Sequence, residues 1–365
     1  MPDKANIKPL TSLRFFAAAW VVVYLYWPSL AAASTPRLVQ KGYLGVELFF
    51  VLSGFILCHV YLPAAEAGRF SYRGFLWNRL ARIYPLHLAT LTGVGLLAGA
   101  ALSVGLAVDP NILSWRALPA NLLMVQAWGL APVSGWNHPS WSISAEWFAY
   151  LGFPIFAWLA LRLRARPRLA YAGALGLVLA LYLGFPAVAG FPLTEATIAW
   201  GALRIVPCFA LGCAAWLVWR AGATDRRKAA AGAWLFGAAV FACGQFAAPD
   251  WATVGCFGGL ILSLAALSRA GGSFGSAPAL VYLGEISFAM YMICAPWQLV
   301  FVNIAVRVLE LPSKKLPWAA WIIFVVCLPI LATAVHELIE KPARSRMRLW
   351  AAGSSGHEIA TVPAT

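Results

Sequence analysis

An all-α polytopic membrane protein, with about ten transmembrane helices and cytoplasmic N- and C-termini, is the fold class this sequence predicts. Three observations lead there. The 365 residues are 62% hydrophobic, with a mean hydropathy of +0.76. Only 11% of them are charged, against about 25% in soluble domains. The bases gather in alternate gaps between long apolar runs, the positive-inside pattern of membrane proteins. A net charge of +14 would otherwise suggest nucleic-acid binding. Bases set between apolar runs argue against nucleic acid and for membrane lipids as the surroundings.

A span needs about 20 mostly apolar residues, and the runs can be taken in order. The first, 12–32, follows Lys4 and Lys8 and has no evident cleavage site, so it reads as a retained span and not a signal peptide. The second, 42–62, is followed by Arg69, Arg73, Arg79 and Arg82, and the third is 84–107. "LPANLLMVQAWGL" at 118–130 is too short to cross and reads as a re-entrant or interfacial helix. The fourth run, 141–161, precedes Arg162, Arg164, Arg166 and Arg168. The fifth, 169–190, and the sixth, 201–219, precede Arg220, Arg226, Arg227 and Lys228. The seventh, 229–248, and the eighth, 251–268, precede Arg269. The ninth, 280–305, and the tenth, 317–337, precede Lys341, Arg344, Arg346 and Arg348. The opposite loops carry Arg37, Lys41, Arg116, Arg307, Lys314 and Lys315. Residues 1–348 read as a single transmembrane domain and 349–365 as a disordered cytoplasmic tail. No internal repeat is visible, which argues against a secondary transporter. The seven cysteines have no C-x-x-C spacing and read as small buried hydrophobes.

Ionisable groups inside spans are costly and point to function. Here they are Arg14, Glu47, His59, Glu146, Arg204, Glu285 and Glu337. Glu47, in "GYLGVELFFVLSGFILCHVYL", lies about 8 Å below the outer end of its span at 1.5 Å per residue. Glu146, in "NHPSWSISAEWFAY", lies at a similar depth behind Ser140, Ser142 and Ser144. Two carboxylates at one depth could line a single polar cavity. Alternatively, each pairs with Arg or Trp groups and only holds helices together. In "RGFLWNRLARIYPLHL", Arg79 and Arg82 share a helix face with His87 close behind. That set suits phosphate, which arginine grips bidentately, or else lipid headgroups at the membrane surface. There is no P-loop, H-E-x-x-H or G-x-S-x-G. "HELIEKP" at His336 lacks a second histidine, and no metal is expected.

Six stretches, "LTSLRFFAAAWVVVY", "GYLGVELFFVLSGFIL", "FLWNRLARIYPLHL", "PSWSISAEWFAYLGFP", "YLGEISFAMYMI" and "ELIEKPAR", occur in an order that resembles the membrane acyltransferase-3 family. These are bacterial O-acyltransferases that decorate exopolysaccharides, O-antigens, periplasmic glucans and macrolides. The likeness runs from residue 8 to about 348. It implies a bacterial inner-membrane protein whose co-substrate is acyl-CoA, acetyl-CoA first of all, entering from the cytoplasm. It also implies a periplasmic glycan hydroxyl as acceptor. Arg14 matches the arginine of the family's first-helix motif, Arg79 and Arg82 its Arg-x-x-Arg pair for CoA, and Glu146 the glutamate of its Ser-Trp-Ser block.

Two matches fail. The family's first-helix histidine, its proposed base, falls on Leu25, and a second common histidine falls on Cys294. Leucine accepts no proton, and general-base assistance is worth about 10²–10⁴ in rate. Three accounts follow. In the first a different group serves: His138 as base, or Cys294 as acyl-accepting nucleophile. His59 lies too far along its helix from the outer cavity. In this account Arg14, Arg79, Arg82 and His87 hold CoA, Glu146 and Glu47 orient the acceptor or the base, and Ser142 or Trp141 faces the oxyanion. In the second account the chain is a catalytically inactive relative, a structural or ligand-binding subunit whose partner is another membrane protein. Its 18 Trp and 21 Phe suit such packing. In the third, the base has been removed from the chain.

Overall fold

The computed structural model describes residues 7–222 and 225–355, and the side chains of these through Trp350. Lys4 and the last ten residues of the expected tail lie outside the described residues. The fold is all-helical: α1 (Lys8–Tyr26), α2 (Arg37–Gln40), α3 (Gly45–Glu66), α4 (Tyr72–Ser103), α5 (Leu118–Leu122), α6 (Trp141–Leu151), α7 (Phe153–Leu163), α8 (Pro167–Ala189), α9 (Gly201–Ala221), α10 (Arg226–Gln245), α11 (Asp250–Arg269), α12 (Pro278–Val308), α13 (Trp318–Val335) and α14 (Lys341–Ser355). A π-helical turn, His336–Glu340, joins the last two.

Local chemistry sets several boundaries. Ser71 Oγ caps α4 by accepting from Gly74 N at 3.2 Å, and Asp225 caps α10 by accepting from Arg227 N at 2.8 Å. Pro167 and Pro278 open α8 and α12, where a missing N–H costs nothing. Gly190 ends α8 at φ +79°, a left-handed value that glycine adopts freely.

Eight helices among the described residues are long and apolar enough to cross a membrane. A ninth crossing results if α6 and α7, bent 56° at Gly152, count as one span. The one expected run left over is the seventh, 229–248, which is α10; its first turn carries Arg226, Arg227 and Lys228, and it falls short of the apolar standard of the other spans. Residues 118–130 form only the five-residue α5 and a single turn, Gln126–Trp128. Large apolar side chains such as Leu96, Ile155, Trp234 and Ile330 stand more than 60% exposed, as expected of a surface that faces lipid tails.

Ion pairs and hydrogen bonds sort the helix ends into two groups. At one end Arg220 and Arg164 both reach Glu66, at 2.7 and 3.9 Å, joining the C-termini of α9, α7 and α3. Arg269 Nη2 donates to Gly222 O, and Ser12 Oγ donates to Gly275 O. The ends of α11 and α9 and the starts of α1 and α12 therefore belong to this base-rich end. At the other end Lys41 pairs with Asp250 at 2.6 Å, and Tyr43 and Thr194 donate to the same carboxylate. There, too, Leu30 and Leu316 form a short parallel bridge. In the middle, α3 and α9 touch backbone to backbone at Gly54 and Gly212.

Candidate functional site

A cavity of about 230 Å³ opens between α1, α3, α4, α6, α12 and the chain from His336 onward. Its α3 wall uses Val46, Phe49, Phe50, Ser53, Ile56 and Leu57, the i, i+3, i+4, i+7 face of one helix. That wall runs eleven residues, about 16 Å, from near the start of α3 toward the base-rich end. The polar lining lies on the facing helices. Arg14, Arg79, Arg82, Lys341 and Arg344 supply positive charge, against Glu146 and Glu285.

The arginines are not equivalent. Arg79 is 5% exposed. Its Nη2 donates to Tyr61 OH at 3.3 Å, and its Nε is buried with no hydrogen-bond partner among the described residues. A buried unpaired charged donor is costly, so an anion would stabilise it. Arg82 is committed: its Nη1 pairs with Glu340 Oε1, and its guanidinium lies over the Phe288 ring. Glu340 Oε2 also meets His336 Nδ1 at 2.8 Å. Glu146 Oε2 accepts from Tyr150 OH at 3.1 Å. Tyr291 OH and Ser142 Oγ both donate to Pro139 O, at 2.9 and 3.2 Å. Lys341 pairs with Glu337.

Of the residues singled out in the sequence, the cavity brings together Arg14, Arg79, Arg82, Glu146, Glu285 and Ser142. It does not gather the others. Glu47 and Glu146 do not share a cavity. Glu47 follows Val46 and so points about 100° away from the cavity face. It turns to α9 instead, where Arg204 Nε donates to it at 2.5 Å and the Arg204 guanidinium lies 4.6 Å from the Trp141 ring centroid. His87 is buried against the α5 segment, with Nε2 2.7 Å from Asn121 O. His138 is exposed and bonded to Ser134 Oγ. Cys294 is fully buried, and its carbonyl accepts from Tyr26 OH at 2.7 Å. Leu25, half-buried, lies outside the lining, and its carbonyl accepts from Gln298 Nε2 at 3.4 Å. No group of three or more His, Cys, Asp or Glu among the described residues could hold a metal ion.

Sequence reasoning missed His336, Glu340, Arg344 and Tyr150. His336 and Glu340 were weighed only as a broken zinc motif, although an i, i+4 pair of opposite chemistry at the end of an apolar run is itself a signal.

A multi-span helical protein with a basic, carboxylate-bearing cavity is thus on hand, and comparison with known proteins gives its class. The chain belongs to the Acyl_transf_3 family, described as an acyltransferase domain, whose model matches residues 8–336. It is similar to Acyltransferase MdmB of Streptomyces mycarofaciens, 31% identical over 319 residues that cover 80% of this chain and 79% of that protein. A shorter likeness, 45% identity over 51 residues, joins it to Protein 2 in the picA locus of Rhizobium radiobacter, covering 14% of this chain and 27% of that one. No solved structure matches it.

Proposed function

We propose that the protein transfers an acyl group, acetyl in the first instance, from acyl-CoA to an acceptor hydroxyl. The observation that carries this reading is the arginine-lined cavity beside Glu146, within a chain of the acyltransferase family. Arg79, with its unpartnered Nε, and Arg14 and Arg344 are the groups for CoA phosphates. Arg82 serves less directly, because Glu340 already neutralises it. The cavity is smaller than the roughly 300–1,000 Å³ of drug-sized pockets. It suits the thioester end of the donor, with the nucleotide left at the mouth. On this reading Glu146, tied to Tyr150, orients the acceptor hydroxyl.

The base-rich end is the cytoplasmic end on this reading, with α10 as a tenth crossing and both termini on that side. The α3 wall then offers an acceptor a route from the opposite, periplasmic side. A periplasmic or cell-surface glycan in a bacterial inner membrane is the acceptor class that the family likeness favours.

Labelled acetyl-CoA, supplied to membranes holding the protein with a panel of envelope glycans, should pass label to one of them. Arg79→Gln should raise KM for acetyl-CoA about tenfold to a hundredfold, the worth of one or two hydrogen bonds to a charged group, with a smaller change in kcat. An unchanged KM would remove Arg79 from the donor site. Leu25, where the family's base stands, favours a second reading, a ligand-binding subunit of a membrane complex. Tight acetyl-CoA binding without any turnover would establish that one.

A further inference from the structure

The acyl-transfer reading needs a group that removes the acceptor's proton, and Leu25 cannot. From the geometry we infer that His336 is the general base, oriented by Glu340, which Arg82 holds in turn. This rests on the acyltransferase reading of the cavity.

Three observations converge. His336 lines the cavity together with Arg14, Glu146 and Tyr291. Its Nδ1 is occupied by Glu340 Oε2 at 2.8 Å, a contact that places the Nδ1 proton on the carboxylate side and leaves Nε2 as the basic nitrogen. The carboxylate is fixed from its other oxygen by Arg82 and is 1% exposed. This is the orienting logic of a base held by a third group, extended by one arginine. The helical local geometry serves it: a π-helical turn spans His336–Glu340, and such turns are frequent at functional sites. The other histidines with described side chains are placed elsewhere. His87 has Nε2 on a backbone carbonyl, His138 sits in the loop before α6, and His59 packs against Trp216 and Trp219.

The step balances without a further reactant. His336 Nε2 takes the proton of the acceptor hydroxyl as its oxygen forms a bond to the thioester carbonyl carbon. The C–S bond then breaks, and the departing CoA sulfur takes the proton from His336. The products are the ester and free CoA thiol, and the histidine is returned neutral. Glu340 stabilises the imidazolium in between. Glu340 and Arg82 are positioning residues and touch no substrate.

The test uses purified full-length protein in detergent, acetyl-CoA as donor and glycerol or water as acceptor, with released thiol as the rate readout and acetyl-CoA affinity measured separately. His336→Gln should lower kcat about 10²–10⁴-fold and leave acetyl-CoA affinity within about threefold. Glu340→Gln should lower kcat by about tenfold or more at unchanged KM. Added imidazole should restore part of the rate to His336→Gly. If His336→Gln keeps its kcat within about threefold, the base lies elsewhere and only this assignment falls. If affinity falls in step with rate and imidazole restores nothing, His336 is a structural residue and the assignment again falls. If the parent protein binds acetyl-CoA but releases no thiol, the acyl-transfer reading fails together with its base.

Discussion

Arg204→Met should leave the protein about 3–5 kcal/mol less stable, the cost of stripping a buried charge of its partner. Arg204 and Glu47 are 2% and 0% exposed and meet at 2.5 Å between α9 and α3. The guanidinium has two more attachments, the Ala196 carbonyl at 3.1 Å and the face of Trp141. Glu47 has no second tie at its other oxygen: Oε2 is buried with no hydrogen-bond partner among the described residues. Removing the arginine therefore strands a carboxylate, whereas removing both charges leaves only the Ala196 carbonyl without its donor. The double variant Glu47→Leu/Arg204→Met should recover most of the lost stability, because well-packed apolar replacements of a buried pair are often neutral or better. Thermal unfolding of the parent, Arg204→Met, Glu47→Leu and the double variant in detergent reads this directly. A single variant within about 1 kcal/mol of the parent would show that the pair is dispensable.

The second large effect concerns the same helix pair, at backbone level. A side chain at Gly54 would place its first carbon on the Phe209 carbonyl, and one at Gly212 on the Val51 carbonyl. The obstacle in both cases is main chain, which cannot swing aside as a side chain can. Gly212→Val should force α3 and α9 apart, at a cost above the roughly 1–3 kcal/mol of ordinary overpacking. Small residues are what allow two membrane helices to approach this closely. Activity should fall as well, since Ser53 and Leu57 of α3 form part of the cavity wall. Gly93→Ala is the matched control. A methyl there meets nothing within 4 Å, and alanine favours a helix interior by about 1 kcal/mol over glycine. Protease resistance of the two variants should therefore move in opposite directions. Equal behaviour would mean that the α3–α9 contact does not limit stability.

These two cases also mark how far the sequence could be read. Apolar runs locate the spans because each must bury its backbone polar groups within a helix of sufficient length. The borderline case was α10, where alanines, glycines and an initial basic turn dilute the apolar signal. The bend at Gly152 left no mark in hydropathy, because both arms are equally apolar. In the site, Arg14, Arg79, Arg82 and Glu146 stood out because charge in a membrane is rare. Their shared cavity depends on how five helices pack, which no local pattern records. Glu47 and Arg204 were each visible as intramembrane charges, yet their pairing across 157 positions was not. The alternative weighed for the two carboxylates, that each pairs with an Arg or Trp group and only holds helices together, fits Glu47; what the sequence lacked was a means of telling Glu47 from Glu146.

The order of the helices along the chain has a consequence for synthesis. Arg14 of α1 is made more than 300 residues before His336, Lys341 and Arg344, and all four face one cavity. α14 is seated late as well, with Trp77 Nε1 of α4 donating to the Met347 carbonyl at 2.7 Å. A nascent chain can insert the spans from α1 to α12 while still tethered to the ribosome, yet its cavity stays without one wall until the segment from His336 onward has followed them. Donor thioester entering such an intermediate would meet neither Arg344 nor the His336–Glu340 pair. The cavity lining is thereby complete only once the segment from His336 onward has packed beside α1 and α4.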